Sequence, residues 1–134
     1  MNAEQAREFV GRQHRAVLAT IRRDGRPQLS SVSYALDHDG RIRISVTRDR
    51  AKTRNLRRDP RATLEILGDD WYQYLVVDAT VEVEDGPTVL SDLRRVYQLI
   101  LGKPHPDWTA FDAAMVQDGR CLLALTIERL YPLT

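Results

Sequence analysis

The chain has a single cysteine, Cys121, among its 134 residues. One cysteine excludes an intramolecular disulfide and a metal site built from several thiolates. Because Cys121 falls in an apolar segment, we expect a buried and unreactive thiol. The three histidines, at positions 14, 38 and 105, lack the spacing of a metal site. No metal ligand is therefore assigned.

Long hydrophobic runs are also missing from the sequence. The longest uninterrupted apolar stretch, Cys121 to Leu125, is far shorter than the roughly 20 residues that a membrane-spanning helix needs. The first ten residues lack the apolar centre of a signal peptide. We therefore expect a cytoplasmic protein without a membrane partner. The apolar fraction of 43% is sufficient for one hydrophobic core, and the length predicts a single domain over residues 1–134.

The chain has little net charge, but its positive charge is concentrated. The formal net charge is only +1, whereas the segment from Arg48 to Arg61 carries seven basic and two acidic residues. The rest of the chain is therefore net negative. A concentrated cationic segment favours a local anionic ligand over a broad basic surface.

Hydrophobic periodicity predicts a mainly β protein with peripheral helices. Asp24-Gly25 and Asp39-Gly40 are hairpin turn signals, so neighbouring strands should pair antiparallel. Six strands in so short a chain favour a closed or split barrel, because closure removes exposed edges. The predicted strands are 15–23, 28–36, 41–47, 61–67, 71–84 and 120–128, and the predicted helices are 3–14, 51–58, 89–101 and 108–116.

The cationic segment lies between two predicted strands, at the start of the helix predicted over 51–58. Helix N-termini favour anions, and Lys, Arg and Thr side chains nearby add donors, so a phosphorylated or polyanionic ligand is indicated. A solvated helix face is the alternative interpretation. No Ser-His-Asp or Cys-His arrangement and no essential general acid is evident. This absence favours a protein whose cofactor carries the chemistry over a hydrolase.

Two motifs carry a family resemblance. The first is Asp24-Gly25-Arg26-Pro27-Gln28 between two strands, and the second runs from Arg50 to Leu56 and continues as Asp59-Pro60-Arg61-Ala62. Together they resemble the pyridoxamine 5'-phosphate oxidase-like split β-barrel superfamily. Within it, the chain is most similar to the actinobacterial deazaflavin branch, which uses coenzyme F420. The order of elements matches from about residue 5 to residue 130.

The resemblance implies a homodimeric, flavin-binding type of six-stranded antiparallel split barrel, with two cofactor sites at the subunit interface. It places Gln28, Ser30 and Val32 at the edge of the ring system. The residues that it assigns to the phosphate and side arm are Thr47, Arg50, Lys52, Thr53 and Asn55. It also implies that Trp71 and Tyr74 of the other subunit wall the pocket, although core or dimer-interface packing is the more common role of such aromatic residues.

The implied activity is that of a coenzyme F420-dependent oxidoreductase, which passes hydride to an unsaturated small-molecule acceptor. Arg54, Arg57 and Arg58 suit the oligoglutamate tail of F420 better than the compact phosphate of FMN. An FMN-binding oxidase or flavin reductase is the first alternative, and a non-catalytic cofactor or nucleic-acid binding module is the second. Nucleic acid is not expected, because no stacking aromatic residues are interleaved with the arginines. The sequence does not identify the acceptor.

Overall fold

The computed structural model describes residues 1–134, which form seven strands and four helices. The strands are β1 (Arg15–Ile21), β2 (Pro27–Ser33), β3 (Ala35–Leu36), β4 (Ile42–Thr47), β5 (Arg61–Leu67), β6 (Tyr74–Glu84) and β7 (Arg120–Tyr131). The helices are α1 (Ala3–Arg12), α2 (Ala51–Arg58), α3 (Val89–Leu101) and α4 (Trp108–Asp118). None of these helices combines the length and the apolar character that a transmembrane helix requires.

All seven strands belong to one antiparallel sheet in the order β2-β1-β5-β6-β7-β4-β3. The two strands at the ends of this order, β2 and β3, follow one another in the chain with only Tyr34 between them. A single bent stretch therefore carries both edges of the sheet and curves it into a split barrel. The predicted antiparallel split-barrel architecture is confirmed.

The predicted count of six strands is wrong, because the strand expected over 28–36 divides at Tyr34. The partner strand β1 begins at Arg15, so β2 has no further partner beyond Ser33. The Tyr34 hydroxyl donates to the Val10 carbonyl at 2.7 Å, which anchors the chain at this corner. Beyond the corner, Ala35 and Leu36 pair with β4 instead.

A second difference concerns the start of β6, which was predicted at Trp71 and lies at Tyr74. The residues before it form a turn in which the Gly68 N–H donates to the Gln73 carbonyl at 2.8 Å. The Asp70 carboxylate accepts the Tyr72 N–H at 2.7 Å in the same turn. These local bonds leave Trp71 outside the sheet, with 84% of its surface exposed.

The main core fills the barrel interior, and α1 covers one end of it. Phe9 of α1 and Leu18, Leu64 and Leu125 of the strands are completely buried. A smaller separate core joins the hairpin of α3 and α4 to the outside of the barrel through Leu93, Val96, Phe111, Ala35 and Leu122. The α3–α4 hairpin is therefore a separate wall placed beside the end of β4.

Candidate functional site

A cavity of about 570 Å³ lies where β4 ends and α2 begins. The first residue of β7 forms another edge of the cavity, and the α3–α4 hairpin closes the opposite side. The lining residues are Ser31, Val32, Ser33, Ser45, Val46, Thr47, Arg50, Lys52, Leu93, Val96, Tyr97, Ile100, Phe111, Met115 and Arg120. Six separate elements meet here, although their residues are spread over most of the chain.

The first turn of α2 forms the cationic edge of this cavity. Arg50 is the N-cap residue and makes no side-chain capping bond, and the turn contains no acidic residue. The buried Thr53 hydroxyl donates to the Thr47 carbonyl at 2.8 Å, which ties the helix back to the end of β4. The turn therefore offers backbone N–H groups and a positive dipole end without an internal anion to satisfy them.

The structure divides the seven basic residues of the segment into two groups. Most are engaged elsewhere: Arg48 pairs with Asp85 at 2.7 Å, Arg57 lies 3.9 Å from Asp85, and Arg61 pairs with Asp59 at 2.8 Å. Arg54 and Arg58 donate to the backbone carbonyls of Asp49 and Ile21. Arg50 and Lys52 line the cavity and form no ion pair.

A third cation, Arg120, joins these two from the start of β7. The β4–β7 register pairs Arg120 with Thr47, which brings its guanidinium to the cavity. Burial lowers the pKa of Lys52, and the neighbouring charges of Arg50 and Arg120 lower it further. No carboxylate is among the lining residues. Three cations that repel one another without an internal counter-ion make this edge of the cavity a candidate anion site.

Two buried polar atoms on this edge also lack a partner. Thr47 Oγ1 and Arg120 Nε are shielded from solvent and form no hydrogen bond. Because a buried unpaired polar atom is costly, each of these atoms calls for a partner, which a bound ligand or water would supply. The unsatisfied donors and acceptors therefore coincide with the unpaired charges.

The opposite side of the cavity is apolar. It is formed by Leu93, Val96, Tyr97, Ile100, Phe111 and Met115 of the α3–α4 hairpin. Tyr97 is held within an aromatic cluster, with ring centroids 5.3 Å from Phe111 and 6.0 Å from Trp108 in edge-to-face geometry. Such packing fixes the orientation of the wall. The cavity therefore suits a molecule with an anionic end and an apolar body.

Four of the residues predicted from the sequence line this cavity: Val32, Thr47, Arg50 and Lys52. Ser30 lies on the same strand as Val32, and its Oγ is buried without a hydrogen-bond partner. Thr53 is fully buried, and its hydroxyl is engaged by Thr47 as described above. Their roles toward a ligand remain predictions.

Gln28 and Asn55 lie on the other side of α2. Asn55 donates to Thr20 Oγ1 at 3.1 Å, and Thr20 donates to Gln28 Oε1 at 3.1 Å. Both amides also line a second, smaller cavity of about 370 Å³, which we call the arginine groove. Its other lining residues are Arg22, Arg23, Ala51, Arg54 and Arg58, again without a carboxylate.

Trp71 and Tyr74, the predicted walls from the other subunit, lie at the turn between β5 and β6. Trp71 is 84% exposed and Tyr74 is 41% exposed. Neither residue lines the cavity of its own chain. Their predicted place in the pocket of a second chain remains a prediction.

Arg120 was not predicted from the sequence. In the sequence, Arg120 is only an arginine directly before the apolar run of the last strand. Arginines are common at the ends of strands, so this position does not indicate a binding site. What places it in the site is the pairing of β4 with β7, which joins residues more than 70 positions apart. Only a correct strand order could have identified it.

Cys121 follows Arg120 and is completely buried. Burial raises the pKa of its thiol, with Asp85 adding to the effect. The thiol is therefore protonated at neutral pH and unreactive, as the apolar context of the sequence indicated.

An antiparallel split β-barrel with a cationic cavity beside one strand end defines the class of this protein. The chain belongs to the pyridoxamine 5'-phosphate oxidase family, whose sequence profile matches residues 3–134. This match confirms the resemblance that the two motifs indicated.

Solved structures extend the comparison. The chain is 26% identical to the conserved hypothetical protein Rv2991 of Mycobacterium tuberculosis, with a TM-score of 0.78 over 97% of this chain and 82% of that one. It is 25% identical to an F420 reductase, with a TM-score of 0.71 over 92% of this chain and 94% of that one. HutZ, the heme storage protein of Vibrio cholerae, shares the fold at 20% identity and a TM-score of 0.67, over 98% and 94% of the two chains.

Proposed function

We propose that the protein is a coenzyme F420-dependent reductase that transfers hydride to an unsaturated small molecule. The observation that carries the proposal is the anion site, where Arg50, Lys52 and Arg120 line one cavity without a carboxylate. The likeness to an F420 reductase at 25% identity supports the same cofactor.

The residues present fit the phosphodiester of this cofactor. Lys52 would supply a charged donor, and Arg50 and the first-turn N–H groups of α2 would supply further donors. Thr47 Oγ1, buried and without a partner, would add a neutral hydroxyl. The ring system would lie against Ser30 and Val32 of β2.

The arginine groove fits the acidic tail of the cofactor. Arg22, Arg23, Arg54 and Arg58 surround it, and an oligoglutamate chain would be neutralised there. Arg57, expected to share this role, is directed instead toward Asp85, 3.9 Å away. FMN has no anionic extension that would reach the groove, so this second cationic surface favours the deazaflavin.

When bound, the deazaflavin supplies the hydride itself. The chain contributes binding and orientation, with α2 holding the anionic end. The apolar wall of α3 and α4 would exclude water from the acceptor, which strengthens electrostatic interactions inside the cavity. Because no carboxylate or histidine lines the cavity, we assign the accompanying proton to solvent or a bound water.

We further propose that two copies of the chain assemble around two cofactor sites. Family membership supports this assembly, and so do the large aromatic side chains exposed at the β5–β6 turn. A partner would bury Trp71 and Tyr72, which are each 84% exposed in the single chain.

The direct test is titration of the purified protein with coenzyme F420, followed by its fluorescence. Lys52→Ala should weaken binding by about 1–3 kcal/mol, roughly 5- to 150-fold, through loss of a charge-assisted hydrogen bond. Lys103→Ala is the matched control, because Lys103 is the only other lysine and lies exposed in the α3–α4 loop. A wild-type dissociation constant above about 100 μM would overturn the proposal.

The competing cofactor is FMN, because three cations also suit a phosphate monoester that carries two charges. Native mass spectrometry of the protein mixed with equal amounts of FMN and F420 reports the preferred cofactor and the number of subunits together. We expect a dimer with two bound deazaflavins. Selective retention of FMN would favour an FMN-dependent oxidase or flavin reductase instead.

A further inference from the structure

We infer that Arg120 is the third ligand of the anion site and decides how tightly this cavity holds a phosphorylated molecule. The inference rests on the proposed function for the identity of that molecule, and on the structure for the site itself. It adds a residue from the far end of the chain to a site otherwise built by the segment around α2.

The first argument is position. Arg120 lines the same cavity as Arg50 and Lys52, and its charge is close enough to Lys52 to contribute to the lowered pKa of that lysine. It is held there by the backbone ladder in which Thr47 and Arg120 are partners. The arginine is therefore fixed by strand pairing, and no change of backbone is needed for it to reach a ligand beside α2.

The second argument is that the side chain is not used within the fold. Its one hydrogen bond runs from Nη1 to the Ser45 carbonyl, at a long 3.4 Å. Its Nε is buried and has no partner, and Arg120 takes part in no ion pair. Arg48 shows the opposite pattern: its backbone N–H donates to the carbonyl of Gly119, the residue before Arg120, and its side chain pairs with Asp85.

The third argument is energetic. A partly buried arginine beside two other cations loses hydration and gains repulsion, so in the free protein it does not stabilise the fold electrostatically. An anion that takes the place of the missing counter-ion removes both costs. Arginine suits this role because its planar fork of five donors matches the oxygens of a phosphate group.

The arrangement also explains the two unpaired atoms together. Arg120 Nε is a donor and Thr47 Oγ1 can donate or accept, and the two residues face one another across the β4–β7 pair. A phosphate oxygen between them would satisfy both. A single ligand oxygen would therefore serve as the missing hydrogen-bond partner of both Arg120 and Thr47.

The test compares Arg120→Gln with Arg48→Gln, which removes the same charge from a neighbouring position outside the cavity. Each protein is titrated with coenzyme F420 and with the deazaflavin riboside that lacks the phosphodiester. Arg120→Gln should weaken F420 binding by about tenfold or more and leave the riboside unchanged, and Arg48→Gln should change neither by more than about twofold. Equal binding of F420 by Arg120→Gln and wild type, or equal losses for both ligands, would overturn the inference.

A second measurement separates this inference from the choice of cofactor. Inorganic phosphate should raise the unfolding temperature of wild type and Arg48→Gln, but raise that of Arg120→Gln much less. Without phosphate, Arg120→Gln should unfold no earlier than wild type, because no ion pair is lost. An earlier unfolding would show a structural role and refute the assignment. If wild type responds to phosphate through Arg120 but does not bind F420, the inference stands and the proposed function fails.

Discussion

At the scale of single residues, Arg50 shows a conflict between binding and stability. Its backbone is extended, with φ −70° and ψ 149°, the geometry of a helix N-cap, yet its side chain makes no capping bond. Helices α1 and α4 are capped by the side chains of Asn2 and Asp107, at 2.9 and 3.1 Å. An arginine at this position leaves the helix end open to an external anion.

Replacing Arg50 by aspartate should therefore stabilise the free protein and abolish anion binding. The new carboxylate can cap α2 and relieve the repulsion on Lys52, which we expect to add about 1 kcal/mol and raise the unfolding temperature by a few degrees. Thermal unfolding without ligand measures the gain, and F420 titration measures the loss. Arg50→Ala is the control, since it should lose binding without the gain from capping. A less stable Arg50→Asp protein would contradict the interpretation.

At the scale of elements, a buried ion network holds α3 against the β3–β4 hairpin. The fully buried Asp37 carboxylate accepts from Arg43 Nη1 and from Arg95 Nη2 of α3, each at 2.8 Å. Arg95 also pairs with Asp92 at 2.8 Å. Since Arg95 precedes Val96 and Tyr97, the network positions the apolar wall of the cavity.

Asp37→Asn should destabilise the protein by about 1–3 kcal/mol, because it removes a charged acceptor shared by buried Arg43 and Arg95, although Arg43 keeps its bonds to Asp39 and Glu84. The comparison is Asp112→Asn, which breaks the more exposed pair of Arg94 with Asp112 and should lower the stability much less. Urea unfolding at neutral pH measures both. Similar losses in the two variants would show that the network does not hold α3.

The hydrogen bonds of Asp37 also predict that the stability of the protein depends on pH. Burial alone would raise the pKa of Asp37, but hydrogen bonds from Arg95 and His38 outweigh it and hold the pKa well below the usual range. The stabilisation is therefore complete above the ordinary aspartate pKa of about 3.9 and is lost as the pH falls below it. The difference between wild type and Asp37→Asn should shrink under strongly acidic conditions.

At the scale of the whole molecule, the exposed β5–β6 turn is the feature that a single chain does not explain. Trp71 lies outside the sheet, far more exposed than an aromatic side chain of its size usually is. The other tryptophan, Trp108, packs within the aromatic cluster of the α3–α4 hairpin. The two tryptophans therefore report on different parts of the chain.

If Trp71 walls the cofactor pocket of a second chain, cofactor binding should quench its fluorescence. We expect the quench in wild type and in Trp108→Phe, and its loss in Trp71→Phe, at protein concentrations where sedimentation shows a dimer. Quenching that persists in Trp71→Phe would instead place the cofactor near Trp108, and a monomer that binds F420 with full affinity would refute the shared pocket.

Much of the fold could be predicted because its signals are local. The hairpin turns at Asp24-Gly25 and Asp39-Gly40, the alternation of β4 and the helical stripe of α3 each depend on a few neighbouring residues. The strand count was wrong at the point where one predicted strand changes from one pairing strand to another. The strand over 28–36 divides at Tyr34 because β1 begins at Arg15, opposite Ser33, and this start depends on where α1 stops.

The sequence by itself determined most of the elements, the antiparallel architecture and a cationic segment at the start of α2, because each follows from residues that are adjacent or one turn apart. Only the tertiary structure decided which cations remain unpaired. Asp85 and Asp59 neutralise Arg48 and Arg61, while the β4–β7 pairing adds Arg120 to Lys52. Charge–charge distances across a barrel are set by strand order and register, and the positions in the chain do not reveal them.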